Sequence, residues 1–350
     1  MNIPFTIPDI RPPQADASSI QAVIDNKTKP PGALGQLEDL AVQLASICSQ
    51  DQAQSISIRK PCMLVFAADH GIAAEDISIA PQLVTQQMVH NFLAQGAAIN
   101  CFAALNHMQL KVIDAGVLEA IDHPSLINQR VGKGSANFVE APAITESELQ
   151  QCFEFSQQLV EQLHQTGCNV IALGEMGIGN TSSAAALMAA YLGLPISDCV
   201  GRGTGINDQQ FARKTALLNQ ALSFHQAKLD SPLEILRRLG GFEIAQMTAA
   251  MLYAAALGKL ILVDGFIASA AALAAVHIQP AVRDYMVFCH SSEEAGHQRM
   301  LQHLQAKPLL QLGMRLGEGT GAALAMNLIY AAQSFYNDMA SFEHAGIDAV

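Results

Sequence analysis

A single carboxylate, Glu318, stands between Gly317 and Gly319, with Thr320 and Gly321 behind it. No charged residue follows from Ala322 through Phe335. Glycine opens backbone angles that other residues reach only at a cost, and it lets a second molecule approach the main chain closely. An acid at the mouth of such a small-residue helix is partly desolvated, which raises its pKa toward the range of a general base. Capping the helix that follows is the competing role for the same carboxylate, and the stretch alone leaves both open.

Two glycine-rich stretches carry the chemistry of anion binding. Gly177-Ile178-Gly179-Asn180-Thr181-Ser182 follows an apolar run and opens a run of alanines. Gly201-Arg202-Gly203-Thr204-Gly205 precedes a helix whose expected N-cap is Asn207 or Asp208. Free amides at a helix N-terminus, approached through glycine, make an anion site, and Arg202 and Lys214 are among few cations that could add charge there. Tight turns that need glycine only for their geometry are the alternative. Neither stretch is a P-loop, and Gly177-x-Gly179-x-x-Ser182 lacks the third glycine and the ribose-binding acid of a dinucleotide site. Leu260-Ile-Leu-Val-Asp264-Gly265 faintly resembles the site of transferases that use phosphoribosyl pyrophosphate. It has one acid and no Thr-Gly-Gly, so a donor without pyrophosphate fits better. His290-Ser-Ser-Glu-Glu-Ala-Gly-His297 is not H-E-x-x-H. Hydrogen-bonded histidines are expected there rather than ligands, and neither a metal nor another cofactor is expected.

These residues need elements to hold them, and one pattern repeats along the chain. Apolar runs 61–68, 110–113, 168–173, 260–263, 285–289 and 309–312 read as six buried strands. Helical segments lie between them at 88–105, 145–166, 182–192, 208–228, 243–257 and 266–276, with another opened by the stretch 30–38 and running to about Ser49. Strands alternating with helices give an α/β fold with a parallel sheet and right-handed crossovers. Each run is apolar at its start and chemically rich at its end. Because ligands bind outside the carboxyl ends of parallel strands, Asp69, His70, Glu175, Asp264, Ser291 and Glu318 are expected to converge on one cleft. Residues 1–30, with five prolines, read as a wrapping arm.

Composition narrows the partners. The chain has 350 residues, half of them hydrophobic and 14% charged, so a large core is affordable. A net charge of −12 argues against nucleic acid, which requires clustered Lys and Arg. Seven cysteines show no C-x-x-C pair and read as reduced core thiols of a cytoplasmic protein. The first residues show no basic region leading into an apolar one, so no export signal is expected. The blocks Ala245–Gly258 and Phe266–Ile278 are each too short to span a bilayer, so a soluble protein is expected.

In order and spacing, several motifs together resemble one family: nicotinate-nucleotide–dimethylbenzimidazole phosphoribosyltransferase of cobalamin synthesis. They are Pro31-Gly-Ala-Leu-Gly-Gln-Leu-Glu38, Ala67-Ala-Asp-His-Gly71, Pro81-Gln-Leu-Val-Thr-Gln-Gln-Met-Val89 and Gly96-Ala-Ala-Ile-Asn100. Gly174-Glu-Met-Gly-Ile-Gly-Asn-Thr181, Gly201-Arg-Gly-Thr-Gly205, Asp264-Gly-Phe266, His290-Ser-Ser-Glu293 and Leu316-Gly-Glu-Gly-Thr-Gly-Ala-Ala323 complete the set. The resemblance covers roughly residues 30–330. It implies transfer of a 5-phosphoribosyl group from nicotinate mononucleotide to a benzimidazole nitrogen by inverting single displacement, with Glu318 as general base. It implies nucleotide contacts from Glu175, Gly177, Ile178, Gly179, Asn180, Thr181, Arg202, Gly203, Thr204, Lys214, Asp264, Ser291 and Ser292. The base would lie against Ala80, Gln87, Met88 and Leu316, and Ala80 stands where some relatives carry a polar residue. The implied fold is a three-layer Rossmann-like sheet of six parallel strands in a large domain, residues 61–324. A small helical domain from residues 1–60 and 325–350, and a homodimer, complete the implied architecture. A transferase using phosphoribosyl pyrophosphate and a non-catalytic nucleotide-binding module are the rival readings.

Overall fold

Cys62–Ala68 forms β1, the first strand of the main sheet, and all of its side chains are buried. Alternation divides them: Leu64 and Phe66 enter one core, Met63, Val65 and Ala67 the other. The computed structural model describes residues 5–50, 55–203 and 205–348. The other strands of this sheet are β2 (Gln109–Gly116), β3 (Leu126–Asn128), β4 (Val170–Met176), β5 (Leu260–Val263) and β6 (Met286–Phe288). All pair in parallel, in the order β3-β2-β1-β4-β5-β6. The order reverses between β1 and β4, the doubly wound topology whose crevice lies outside the strands' carboxyl ends.

Helices cover both faces. In chain order they begin with α1 (Ala17–Asp25), α2 (Gln36–Cys48), α3 (Leu83–Leu93), α4 (Ala98–Leu105), α5 (Glu146–Gln165) and α6 (Asn180–Leu192). After these come α7 (Asp208–His225), α8 (Pro232–Leu239), α9 (Phe242–Ala256), α10 (Phe266–Ile278), α11 (His297–His303), α12 (Thr320–Asp338) and α13 (Phe342–Ala345). The first core joins the sheet to α5, α6, α8, α9 and α10. The second joins its other face to α1, α2, α3, α4 and α12, so segments from both chain ends share one layer. The apolar blocks after Ala245 are α9 and α10, buried on the first face. No helix among the described residues is long and apolar enough to cross a membrane.

The sheet has six strands, but not the expected six. The run 309–312 makes only a bridge from Leu310 to His290, because it lies at the sheet's edge, half-exposed. The sixth strand is β3, at the opposite edge, too short and too exposed to show as a buried run. The expected helix 88–105 is two helices, broken where Gln95 takes a left-handed conformation (φ 62°). Asn100 then caps the second, accepting from the Ala97 amide at 3.1 Å and donating to the Phe92 carbonyl at 2.9 Å. The N-terminal arm contains α1, started by Asp16 accepting from the Ser18 amide. Of the two N-cap choices for α7, Asn207 serves, accepting from Gln210 N at 2.9 Å. All seven cysteines are free, and all but the exposed Cys101 are buried.

Candidate active site

A cavity of about 290 Å³ opens at the carboxyl ends of β4 and β5. Glu175 reaches it from the end of β4 and Asp264 from the residue after β5. His290, Ser292 and Glu294 come from the loop after β6, and Arg315, Leu316, Gly317 and Glu318 from the loop before α12. Ala80, Val84 and Met88, on and just before α3, supply an apolar wall. A smaller cavity of about 60 Å³ adjoins it, sharing Gly177, Ile178, Asn180, Thr181 and Gly203 and adding Arg202 and Lys214. One compartment is thus lined by carboxylates and apolar side chains, the other by glycine amides and cations.

Where the helix amides go answers the capping question for Glu318. Gly319 heads α12 with no side-chain cap of its own, and Asp264 fills that role by accepting from Ala322 N at 3.0 Å. Glu318 does not cap α12. One of its oxygens accepts from the Ile99 amide in the first turn of α4, at 3.3 Å, and the other has no hydrogen-bond partner among the described residues. Its backbone sits in the left-handed region (φ 64°) between Gly317 (φ 86°) and Gly319 (φ 89°). A non-glycine residue there costs of order 1–3 kcal/mol, strain that the surrounding fold must hold in place. Burial raises the Glu318 pKa, against the lowering effect of the Ile99 amide and with a further rise from Asp264. Asp264 is raised too, by burial above all, opposed by His290 and by the amides that open α12. His290 Nε2 lies 3.7 Å from Asp264 Oδ1.

Glu175 is strongly perturbed as well. Burial pushes its carboxyl up to about 8; the Asn180 side-chain amide, which donates to it, opposes this, while Glu243, Asp264 and Glu318 reinforce it. At neutral pH it is therefore mainly the uncharged acid, which keeps the cleft from accumulating negative charge. The effect on stability has a definite sign. An unfolded glutamate loses its proton near its ordinary value of 4.5, whereas folded Glu175 keeps it to about 8. Between those limits the unfolded chain binds fewer protons, so stability falls as pH rises. Thermal denaturation from pH 5 to 8 should show a steeper fall in Tm for the native chain than for Glu175→Gln; parallel curves would refute this.

The second compartment is built for an anion. Gly179 (φ 99°) ends the turn after β4 in the left-handed region and opens α6, with no side-chain cap on the helix amides. Lys214, buried on α7, donates to Thr181 Oγ1 at 2.9 Å and to the Gly201 carbonyl at 3.5 Å. Its pKa is lowered to about 8 by burial, against Glu294, which holds it up. A helix N-terminus, glycine backbone and one buried ammonium together suit a phosphate.

Other expected site residues are placed differently. Arg202 lines the smaller cavity but from its exposed rim, pairing with Asp208 at 2.5 Å and lying over the Phe211 ring. Ser291 is buried and gives its amide to Leu310, outside the cleft lining, and Gln87 is exposed on α3 and does not line the cleft either. Thr204 lies outside the described residues. Asp69 and His70 do not reach the cavity; α9 closes over them, with Gly241 flat against the His70 ring. His297 accepts from Ser292 N at 2.9 Å and meets Ser269 Oγ at 2.9 Å, a hydrogen-bonded histidine that anchors the loop. Among the described residues no cluster of three or more His, Cys, Asp or Glu is arranged to hold a metal. Glu294 and Arg315 are cleft residues that sequence reasoning missed. Neither follows a strand directly, and the link from Glu294 to Lys214 spans distant parts of the chain.

A doubly wound parallel sheet with an amide-lined compartment beside an acid-lined cleft is the architecture of a protein that takes a small anionic ligand outside its strands' carboxyl ends. The model of the family described as Phosphoribosyltransferase (DBI_PRT) matches residues 10–347. A nicotinate-nucleotide–dimethylbenzimidazole phosphoribosyltransferase of Photobacterium profundum is 57% identical over 346 residues, 98% of this chain and 99% of that protein. One from a Shewanella species (strain ANA-3) is 58% identical over 338 residues, 96% of each. The crystal structure of CobT from Thermus thermophilus superimposes with a TM-score of 0.90 at 40% identity, covering 95% of this chain and 99% of that one. The chain belongs to the nicotinate-nucleotide–dimethylbenzimidazole phosphoribosyltransferase family, and it is an enzyme, a pentosyltransferase.

Proposed function

We propose that this enzyme transfers the 5-phosphoribosyl group of nicotinate mononucleotide to 5,6-dimethylbenzimidazole, releasing nicotinate and α-ribazole 5′-phosphate for the nucleotide loop of cobalamin. The observation that carries the chemistry is Glu318: a strained, buried carboxylate in the cleft, with one oxygen unpartnered among the described residues and no capping duty on α12. Glu318 takes the N–H proton of the benzimidazole as the other ring nitrogen attacks C1′ of the ribose. The bond from C1′ to the pyridinium nitrogen breaks, and its electron pair leaves with nicotinate. Attack from the face opposite the leaving group turns the β-nucleotide into an α-glycoside in one displacement. Raising the Glu318 pKa makes it a stronger base, and Glu175, held mainly neutral, does not add a repelling charge beside the anionic donor.

The 5′-phosphate fits the compartment formed by Gly177–Thr181, Gly203 and Lys214, and the aromatic base fits against Ala80, Val84, Met88 and Leu316. Ala80 offers no hydrogen bond, so the apolar shape of that wall selects the acceptor. Homodimerisation, as in the family, would put the exposed Ile79, Leu83 and Leu316 beside the cleft in contact with a second copy. The test is to supply nicotinate mononucleotide with competing bases and identify the ribosylated product. We expect nicotinate release, an α-glycosidic product, and turnover unaffected by a chelator. Strict magnesium dependence with pyrophosphate release would instead establish a phosphoribosyl pyrophosphate transferase.

A further inference from the structure

Asp69 and His70 stand at the carboxyl end of β1, where a parallel sheet binds its ligand, yet both are buried beneath the cleft rather than in it. His70 and the neighbouring Thr85 touch the underside of the turn that opens α6. Thr85, on α3, holds that turn directly: its hydroxyl oxygen accepts from the Ile178 amide at 3.1 Å. Asp69 is held elsewhere: one carboxylate oxygen accepts from the Leu118 amide at 2.8 Å, and the other has no hydrogen-bond partner among the described residues.

His70 acts on the far side of the same turn. Ser183 Oγ donates its only hydrogen to the Gly240 carbonyl at 3.1 Å, so it must accept from His70 Nδ1–H, 3.0 Å away. The opposite ring nitrogen, Nε2, lies 2.6 Å from Glu243 Oε1 in the first turn of α9, with both side chains wholly buried. One proton lies on that contact, whether it resides on the nitrogen or the oxygen. Gly179 passes so close that a Cβ there would sit 3.3 Å from His70 Cβ.

We propose that Thr85 and His70 are positioning residues for the phosphate-binding turn Gly177–Ser183, Thr85 acting on the Ile178 amide and His70, braced by Glu243, acting through Ser183. Ile178 N is turned away from the cleft to Thr85, and Ser183 is pinned one turn into α6. The intervening amides are thereby fixed before any ligand arrives, which lowers the ordering cost of binding. The proposal rests on the reading of this turn as the phosphate site.

The test uses Thr85→Val, nearly isosteric but without the hydroxyl, with Thr85→Ser as the variant that restores it, and Ser183→Ala as the second arm. An unsatisfied buried amide weakens what it supports by about tenfold. For Thr85→Val we expect the KM for nicotinate mononucleotide and the competitive inhibition constant of inorganic phosphate to rise together by about tenfold. The KM for dimethylbenzimidazole should stay unchanged, although Val84 and Met88 flank Thr85, and Thr85→Ser should return both phosphate-linked constants toward native. Ser183→Ala should move them in the same direction. If both variants lower Tm while the phosphate constant stays native, the two side chains only fill the core and the proposal is overturned. A rise confined to the KM of the base overturns it as well. If the native enzyme shows no competition by phosphate, the phosphate assignment itself falls, an outcome distinct from a native constant that the variants fail to move.

Discussion

Replacing Glu318 by Gln should lower kcat by about 10²–10⁴-fold while nicotinate mononucleotide and dimethylbenzimidazole still bind. The amide preserves the shape of the side chain and the contact with Ile99 N, because its carbonyl oxygen can accept the same hydrogen bond. What it cannot do is take a proton. Steady-state kinetics and calorimetric titration of each substrate check this together. Unchanged turnover would remove Glu318 as the base, and loss of nucleotide binding would show a binding role instead. Retained binding with collapsed turnover would also exclude a nucleotide sensor that does no chemistry. The pH dependence gives a second reading. Because burial raises the Glu318 pKa, activity should fall on the acid side at a higher pH than an exposed glutamate would give, and that limb should vanish in Glu318→Gln.

Much of this site could be read from strand ends alone. Glu175 and Asp264 end or follow strands buried on both faces, and the topology that reverses at β4 brings them to one crevice. The same rule put Asp69 and His70 in that crevice, and there it failed. Strand polarity says which end of a sheet is open but not which strand ends a helix covers, and α9 covers β1. Whether Glu318 caps α12 was closed to local reasoning for a related reason. It turns on Asp264 reaching Ala322 across 58 positions of sequence, a contact that no window around residue 318 contains. Edge strands fail differently. Leu126–Asn128 and the run 309–312 both lie half-exposed at sheet margins, so burial does not write them into the hydrophobic pattern, and pairing alone decides which becomes a strand. Glu294 and Arg315 come from loops, whose position depends on what they pack against.

Replacing Gly174 by Ala should cost about 10² in kcat although residue 174 touches no substrate in the proposed reaction. Gly174 lies inside β4, where any residue could take the extended backbone, so its conformation does not require glycine. Its surroundings do. A Cβ at that position would come within 2.5 Å of the Glu318 carbonyl carbon and the Gly319 nitrogen, far inside contact distance and against backbone that has no rotamer to yield. Those atoms belong to the left-handed turn that aims the Glu318 carboxylate, so relief must come by lifting the turn off the strand. Gly319 is limited differently: the Met63 side chain that a Cβ there would meet is flexible and can move, but the left-handed φ of 89° at Gly319 itself favours glycine. The expected signature of Gly174→Ala is a fall in kcat with KM for nicotinate mononucleotide near native, because the phosphate turn at Gly177–Thr181 is held separately through Thr85. Overpacking should also reduce stability by about 1–3 kcal/mol, visible as a lower Tm with unchanged circular dichroism. A variant that loses stability but keeps native kcat would show that β4 gives way instead, and that the aim of Glu318 does not depend on the fit between Gly174 and its turn.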